Sequence, residues 1–338
     1  MTEHGDHRFE TAAVLGAGTI GLAWAGLFAA HGMRVRLSDP RSDLRHTLDE
    51  TLPLLTHGLP GEPDPALLRE RIELGDDTAW AVSGADLVQE NGPERLEFKR
   101  ELFAAAARAA PEHAVLASSS SGLLPSSMAE PLPEDAAARL LVAHPFNPPH
   151  VVPLVELVPG ERTSEEVVDT ALGFYTELGK TPVRLHREVP GFVANRLQSA
   201  VMAESFGLVL RGVIGVEELD TVMKNSLGGR WATVGPFESF HLGGGGEGIR
   251  HMIEHLGRGM AERWKDLSAP ELTENAVETL VRQTESAYGT GTEAYLARSR
   301  ARDDKQLAVN EAVRDAGTAD RTARRGTSST LGSDHSQE

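Results

Sequence analysis

His144 and Glu156, 12 positions apart, are the residues of this chain best suited to moving a proton. His144 heads the run His144-Pro145-Phe146-Asn147-Pro148-Pro149, and Glu156 closes Val152-Pro153-Leu154-Val155-Glu156. Oxidation of a secondary alcohol needs a base for the hydroxyl proton while hydride leaves carbon, and a neutral imidazole suits that work near pH 7. A carboxylate behind the ring would fix its tautomer and stabilise the imidazolium, as the acid does in a hydrolase triad. A histidine with a purely structural place in a proline-rich loop is the competing reading of these residues.

A hydride acceptor has a place nearer the N-terminus. Gly16-Ala17-Gly18-Thr19-Ile20-Gly21 follows a short apolar run and opens a helical one. In that context Gly16 permits the tight turn, Gly18 lets a pyrophosphate approach the backbone, and Gly21 lets helix and strand pack closely. Thr19 and Ile20 begin the helix, whose unpaired N–H groups and positive dipole end suit phosphate. Asp39, at the end of the next strand, can accept hydrogen bonds from both ribose hydroxyls, and its charge repels a 2′-phosphate. The set favours NAD over NADP, with Arg41 near enough to soften that preference. A glycine turn without a ligand, or a fold serving FAD or S-adenosylmethionine, is the alternative.

The elements that must position these groups alternate in type along the first two-thirds of the chain. Strands are expected at 12–15, 34–38, 86–89, 115–118, 140–143, 154–158 and 183–185, and helices at 19–31 and 42–56. That alternation marks an α/β fold, a parallel sheet covered by helices in a Rossmann-type domain over 1–187. Thr163 and Glu166 read as a capping box for a helix ended by Gly179. From Pro190 onward amphipathic patterns at 192–211, 217–223, 249–264 and 272–288 indicate an all-helical second domain over 188–315. The Thr/Ser/Gly/Arg-rich end, 316–338, reads as a disordered tail.

Composition narrows the partners. The chain has 338 residues and a formal charge of −17, a balance that repels nucleic acid and anionic membrane surfaces. A small-molecule substrate is the partner that fits. There is no cysteine, which removes disulfides, Cys-type zinc sites and thiol nucleophiles together. With a polar N-terminus and no run long enough to span a membrane, a cytoplasmic location is expected. No metal site is expected. His251-Met252-Ile253-Glu254-His255 matches the H-x-x-E-H zinc pattern, but a solvated helical face explains it as well. Gly179-Lys180-Thr181 looks like the end of a P-loop, yet it closes a helix rather than opening one and reads as a cap leading into a strand.

The stretch from Val14 to about Asn310 resembles the 3-hydroxyacyl-CoA dehydrogenase family, most closely its L-gulonate 3-dehydrogenase/lambda-crystallin branch. The segments that carry the resemblance are the glycine turn, Gln89-Glu90-Asn91-Gly92-Pro93-Glu94 with Lys99, the run from Ser118 to Leu123, and the His144 and Glu156 segments. Pro190-Gly191-Phe192-Val193-Ala194-Asn195-Arg196 and Leu227-Gly228-Gly229-Arg230-Trp231, leading to Gly235-Pro236-Phe237, complete the set. The resemblance implies a catalytic His144–Glu156 pair, with Ser121 and Asn195 hydrogen-bonding the reacting oxygen and the histidine region. It implies that Asn147 shapes the same pocket, that Glu94 and Lys99 touch the nicotinamide-side ribose, and that the protein is a homodimer.

Family members that take CoA commonly carry a lysine-rich helical stretch after the second strand. Here residues 42–75 contain no lysine and only Arg45, Arg69 and Arg71 as cations. A free hydroxy acid such as L-gulonate is therefore expected ahead of a 3-hydroxyacyl thioester, with a carnitine-like alcohol third. Arg230 is then a candidate clamp for the substrate carboxylate. A crystallin-like chain with the fold but little turnover is the alternative from another class.

Overall fold

The computed structural model describes residues 9–267 and 269–329, so the expected idle residues His4 and His7 lie outside it. The chain divides into two compact units that meet between Arg196 and Leu197.

The first unit is an eight-stranded sheet with helices on both faces. Its elements are β1 (Thr11–Leu15), α1 (Thr19–Ala30), β2 (Arg34–Ser38), α2 (Leu44–Leu55), α3 (Pro65–Glu70), β3 (Ile72–Gly75), α4 (Thr78–Val82) and β4 (Leu87–Glu90). There follow α5 (Leu96–Ala109), β5 (Val115–Ser118), α6 (Pro125–Ala129), α7 (Glu134–Ala137), β6 (Leu140–Pro145), β7 (Leu154–Pro159), α8 (Glu165–Glu177) and β8 (Thr181–Arg184). The strand order is β3-β2-β1-β4-β5-β6-β7-β8. Alternate residues of β1 feed opposite cores, Ala12 and Val14 on one face, Ala13 and Leu15 on the other. A strand covered on both sides must be apolar throughout, which is why this one reads as a continuous run.

The sheet is not wholly parallel. β7 runs antiparallel to β6, because the short segment between them holds no helix and cannot return the chain to the same end of the sheet. β3, only four residues long, was not expected as a strand, and it forms by parallel pairing with β2. The capping box at Thr163 is also displaced by one residue. Ser164 caps α8 through its hydroxyl, which accepts from the Val167 N–H at 3.3 Å, while Thr163 donates to the Leu140 carbonyl.

The second unit is helical. α9 (Ala194–Leu210) leads into α10 (Val216–Met223), a π-helical turn at Lys224–Gly228, α11 (Gly229–Trp231), α12 (Pro236–Gly243), α13 (Gly248–Asp266), α14 (Glu274–Tyr288) and α15 (Gly291–Ser329). The expected tail at 316–338 thus overlaps α15 as far as Ser329, and its remainder lies outside the described residues. None of the described helices is long and apolar enough to cross a membrane.

Candidate active site

The antiparallel turn between β6 and β7 creates the central feature of the site. It sets His144 directly opposite Glu156 in the strand register, so two residues distant in sequence become cross-strand neighbours on one face. Nδ1 of His144 lies 2.9 Å from Oε2 of Glu156, and both side chains are buried. Among the described residues, the other ring nitrogen, Nε2, has no hydrogen-bond partner. The rings of Phe146 and Phe192 flank the imidazole at centroid distances of 4.8 and 5.4 Å.

Glu156 is held from behind as well. Its Oε1 accepts the backbone N–H groups of Val193 and Ala194, each at 2.9 Å, where α9 begins. Burial pushes the Glu156 carboxyl up, but the bonds from His144, Ala194 and Val193 outweigh it and hold the group below its ordinary value. To present those two N–H groups the chain turns through Gly191 at φ 76° and Phe192 at φ 49°. The second value is strained for an aromatic residue, and the full burial of the Phe192 ring beside His144 holds it there. The motif Pro190–Arg196 was legible as a signature, but its backbone role was not.

The serine segment after β5 is organised by Glu94. Its Oε1 accepts from the Ser120 hydroxyl at 2.6 Å and from the N–H groups of Ser121, Gly122 and Leu123 at 3.1, 3.0 and 3.3 Å. Burial raises the Glu94 carboxyl, and Ser120, the charge of Lys99 and the backbone donors bring it below its ordinary value. Ser121 is exposed, and its carbonyl accepts from the Asn195 side-chain amide at 3.2 Å, which brings these two expected residues together. Asn147 is exposed beyond the end of β6.

Lys99 has buried partners that its motif does not announce. It is 1% exposed and gives its protons to both oxygens of the buried Glu90, at 2.7 and 2.8 Å, and to the Gly92 carbonyl at 3.3 Å. Those contacts, with an ion pair to Oε2 of Glu94 at 3.6 Å, tie Lys99 to the loop that carries Glu94. Glu90 also accepts from the Gly92 N–H at 2.6 Å and the Ser118 hydroxyl at 2.5 Å. Its part was not foreseen. The one available signal was an acid ending an otherwise apolar strand, matched by a lone early lysine.

The dinucleotide features fit their ligand. A Cβ on Gly21 would stand 1.9 Å from the Gly16 carbonyl oxygen, and one on Gly16, at φ 97°, would press on Asn91. Nothing lies within 4 Å of the Cβ position of Gly18, so the backbone is open to an approaching phosphate there. The first turn of α1, with Thr19 and Ile20, has neither a side-chain cap nor an acid, leaving its N–H groups for an anion. Asp39 binds the turn through the Ala17 N–H at 2.7 Å and its own loop through the Arg41 N–H at 3.0 Å. The Arg41 guanidinium also lies 3.4 Å from Oδ1 of Asp39, and of the roughly four acceptor positions of a carboxylate at least one is left for a ribose hydroxyl.

In the second unit Arg230 lies on α11, exposed, with no hydrogen bond or ion pair to its guanidinium among the described residues. His251 and His255 stack at 4.9 Å with Glu247 beside the former, and no cluster of three metal-capable side chains occurs among the described residues.

Residues 11–189 match the family model of the 3-hydroxyacyl-CoA dehydrogenase NAD-binding domain, and residues 191–293 match that of its C-terminal domain. A 3-hydroxyacyl-CoA dehydrogenase of Gibberella moniliformis is 45% identical over 76% of this chain and 80% of its own. An L-carnitine dehydrogenase of Nocardiopsis dassonvillei is 39% identical over 94% of this chain and 95% of its own. Among solved structures, the NAD+-dependent dismutase 5-formyl-3-hydroxy-2-methylpyridine 4-carboxylic acid 5-dehydrogenase superposes with a TM-score of 0.73 at 26% identity. That match covers 91% of this chain and 99% of the other.

Proposed function

Because the chain belongs to the 3-hydroxyacyl-CoA dehydrogenase family, an NAD-dependent group acting on CH–OH, we propose that it oxidises a free 3-hydroxy acid to the 3-keto acid with His144 as proton acceptor. The observation that carries this reading is the buried His144–Glu156 pair with one ring nitrogen bonded and the other without a partner. Glu156 fixes the proton on Nδ1 and leaves the lone pair of Nε2 for the substrate hydroxyl. As the proton arrives, the ring becomes cationic, and the carboxylate 2.9 Å away stabilises that charge. NAD, when bound, accepts the hydride. The turn from Gly16 to Gly21 and Asp39 hold its pyrophosphate and adenosine ribose, and Glu94 serves the second ribose. Ser121 and Asn195 hydrogen-bond the reacting oxygen, Asn147 shapes the pocket, and Arg230 clamps the substrate carboxylate.

A free acid is favoured over a CoA ester because, of the three arginines in 42–75, Arg69 and Arg71 are engaged within the fold, which leaves the exposed Arg45 as the one without a hydrogen bond or ion pair among the described residues. Arg69 pairs with Asp49 at 3.1 Å and donates to the Ile72 carbonyl, and Arg71 donates to the Gly32 carbonyl at 2.9 Å. Neither stands ready for a nucleotide phosphate. The L-carnitine dehydrogenase relatives favour a short hydroxy acid of that type over L-gulonate. The Gibberella relative supports a second reading, in which the substrate is a 3-hydroxyacyl-CoA. A screen of NAD reduction with carnitine, gulonate and 3-hydroxybutyrate against 3-hydroxybutyryl-CoA separates the two. Preference for the thioester would overturn the free-acid reading, and inertness toward all of them would favour a crystallin-like role. His144→Ala is expected to bind NADH as before and to lose on the order of 10²–10⁴ in rate. Unchanged turnover would remove His144 from the chemistry.

The assembly we infer is a homodimer formed through the helical unit. Among its described residues only Val209 and Ala276 count as buried apolar side chains, while Phe237, Leu242, Ile253 and Trp264 are 80, 63, 58 and 62% exposed. Apolar surface on that scale marks an interface. A monomer by light scattering at micromolar concentration would refute it.

A further inference from the structure

Lys180 is a buried cation with no acid beside it. It precedes β8, is 8% exposed, and among the described residues forms no ion pair. Its ammonium donates to the backbone carbonyl of Pro149 and, at 2.7 Å, to that of Val152. On its other side the ammonium lies 5.8 Å from the centroid of Trp24, within cation–π range. The Trp24 indole N–H in turn points to the Ser119 hydroxyl at 3.3 Å. Burying a lysine without a counter-ion is costly, and a fold that only needed a cap before a strand has no use for one.

What the lysine holds is the segment from Phe146 to Val152, which begins two residues after His144 and contains Asn147. We propose that Lys180 is a positioning residue for the proposed dehydrogenation, fixing this loop, and Asn147 with it, against the substrate. The inference rests on the reading of His144 and Asn147 as parts of the substrate site. Two carbonyls from one irregular loop converge on a single point charge, and that gathers the loop as no side chain of its own does. The same ammonium lies on α1 through Trp24, so the loop is tied to the helix that follows the glycine turn.

Burial lowers the Lys180 ammonium to about 8, near enough to working pH for the clamp to be released by mild alkali. The titratable neighbours on the elements it touches are His150 in the loop and Tyr175 and Glu177 at the end of α8; α1 offers none. Glu177 is exposed, and the Tyr175 hydroxyl is bonded to Gln89 and pushed up by burial, so neither supplies a transition in that range. The protonated form is the one that holds the loop, so the effect is present below about 8 and is lost as pH rises through that value.

The test compares Lys180→Met and Lys180→Arg with the wild type by amide hydrogen exchange and steady-state kinetics. The Val151 and Val152 N–H groups, both bonded to the Pro148 carbonyl at 3.0 Å, report the loop directly and need no substrate. In Lys180→Met their exchange is expected to rise about ten- to a hundredfold, the scale of charge-assisted hydrogen bonds, with kcat/KM for the hydroxy acid falling alongside while NADH affinity holds. Lys180→Arg should restore both and move the alkaline fall of kcat/KM upward, since a guanidinium does not deprotonate there. Unchanged exchange in Lys180→Met, faster exchange with wild-type kcat/KM, or an alkaline fall that stays put in Lys180→Arg would each overturn the proposal. If Lys180→Met does not fold, the position of that alkaline fall in Lys180→Arg decides. A wild type inert toward every hydroxy acid and thioester would instead refute the dehydrogenase reading, and would remove the substrate-positioning role with it.

Discussion

Two buried acid–base pairs draw their acids from strands of the same sheet, Glu90 from β4 and Glu156 from β7, and they have opposite characters. Lys99 with Glu90 is closed: the carboxylate accepts from the ammonium, the Gly92 N–H and the Ser118 hydroxyl, and the ammonium has no proton left to give. His144 with Glu156 is open at one end. The acid is fully engaged by Nδ1 and the backbone of Val193 and Ala194, yet Nε2 has no partner among the described residues. The difference teaches how burial can serve either stability or chemistry. A closed pair fixes a loop, whereas an open one leaves a ring nitrogen for the chemistry proposed above.

The comparison can be broken most sharply at Glu156. Glu156→Gln keeps the shape but can offer Nδ1 an N–H in place of an acceptor, which favours the wrong tautomer. Turnover should fall by up to about 10⁴-fold, as it does when the triad acid is made an amide, with NADH affinity kept. A loss below tenfold would mean that the acid only packs.

At the closed pair the damage should appear in stability. Lys99→Met leaves the Glu90 carboxylate buried without its cation, at a cost of about 3–5 kcal/mol in urea unfolding. A variant as stable as the wild type would show the pair to be dispensable.

Acid tests the open pair in another way. Glu156 is held below the ordinary carboxyl value of 4.5 because bonds from His144 and the α9 N–H groups outweigh burial. A depressed folded-state value contributes stability that is present above the unfolded value and is lost as pH falls through the folded one. Unfolding free energy measured from about pH 6 down to about pH 3 should therefore drop more steeply in the wild type than in Glu156→Gln. Parallel curves would contradict the assigned bonds.

The smallest effect is expected at Glu94, which links the closed pair to the exposed serine loop. Glu94→Gln should weaken NAD binding about fivefold, the scale of one ordinary hydrogen bond, and leave stability nearly unchanged. A large loss of stability would place Glu94 with the scaffold instead.

Much of this was legible from the chain alone. The glycine turn, the positions of most strands and the bounds of α9, α10, α13 and α14 follow from apolar period and glycine placement, which are local quantities, whereas α12 and α15 were not foreseen. His144 and Glu156 were identifiable by residue type, and Gly16, Gly18, Gly21 and Asp39 by spacing. Glu90 and Lys99 stand in one motif segment, but sequence does not show that the two meet where the chain turns from β4 into α5. Glu90, Lys180, Val193 and Ala194 stand inside segments the sequence singles out, but what each of them bonds is set by the fold and not by the motif.

Local pattern, then, determined which segments become strand or helix and where a dinucleotide could lie, because backbone preference and burial period are written within a dozen residues. Only the tertiary structure decided that β7 runs against β6, and with it that an imidazole and a carboxylate meet at 2.9 Å. It also decided which buried charges are closed and which are open. Hydrogen-bond satisfaction is a property of everything that converges on an atom, and that convergence comes from residues as far apart as Glu156 and Ala194.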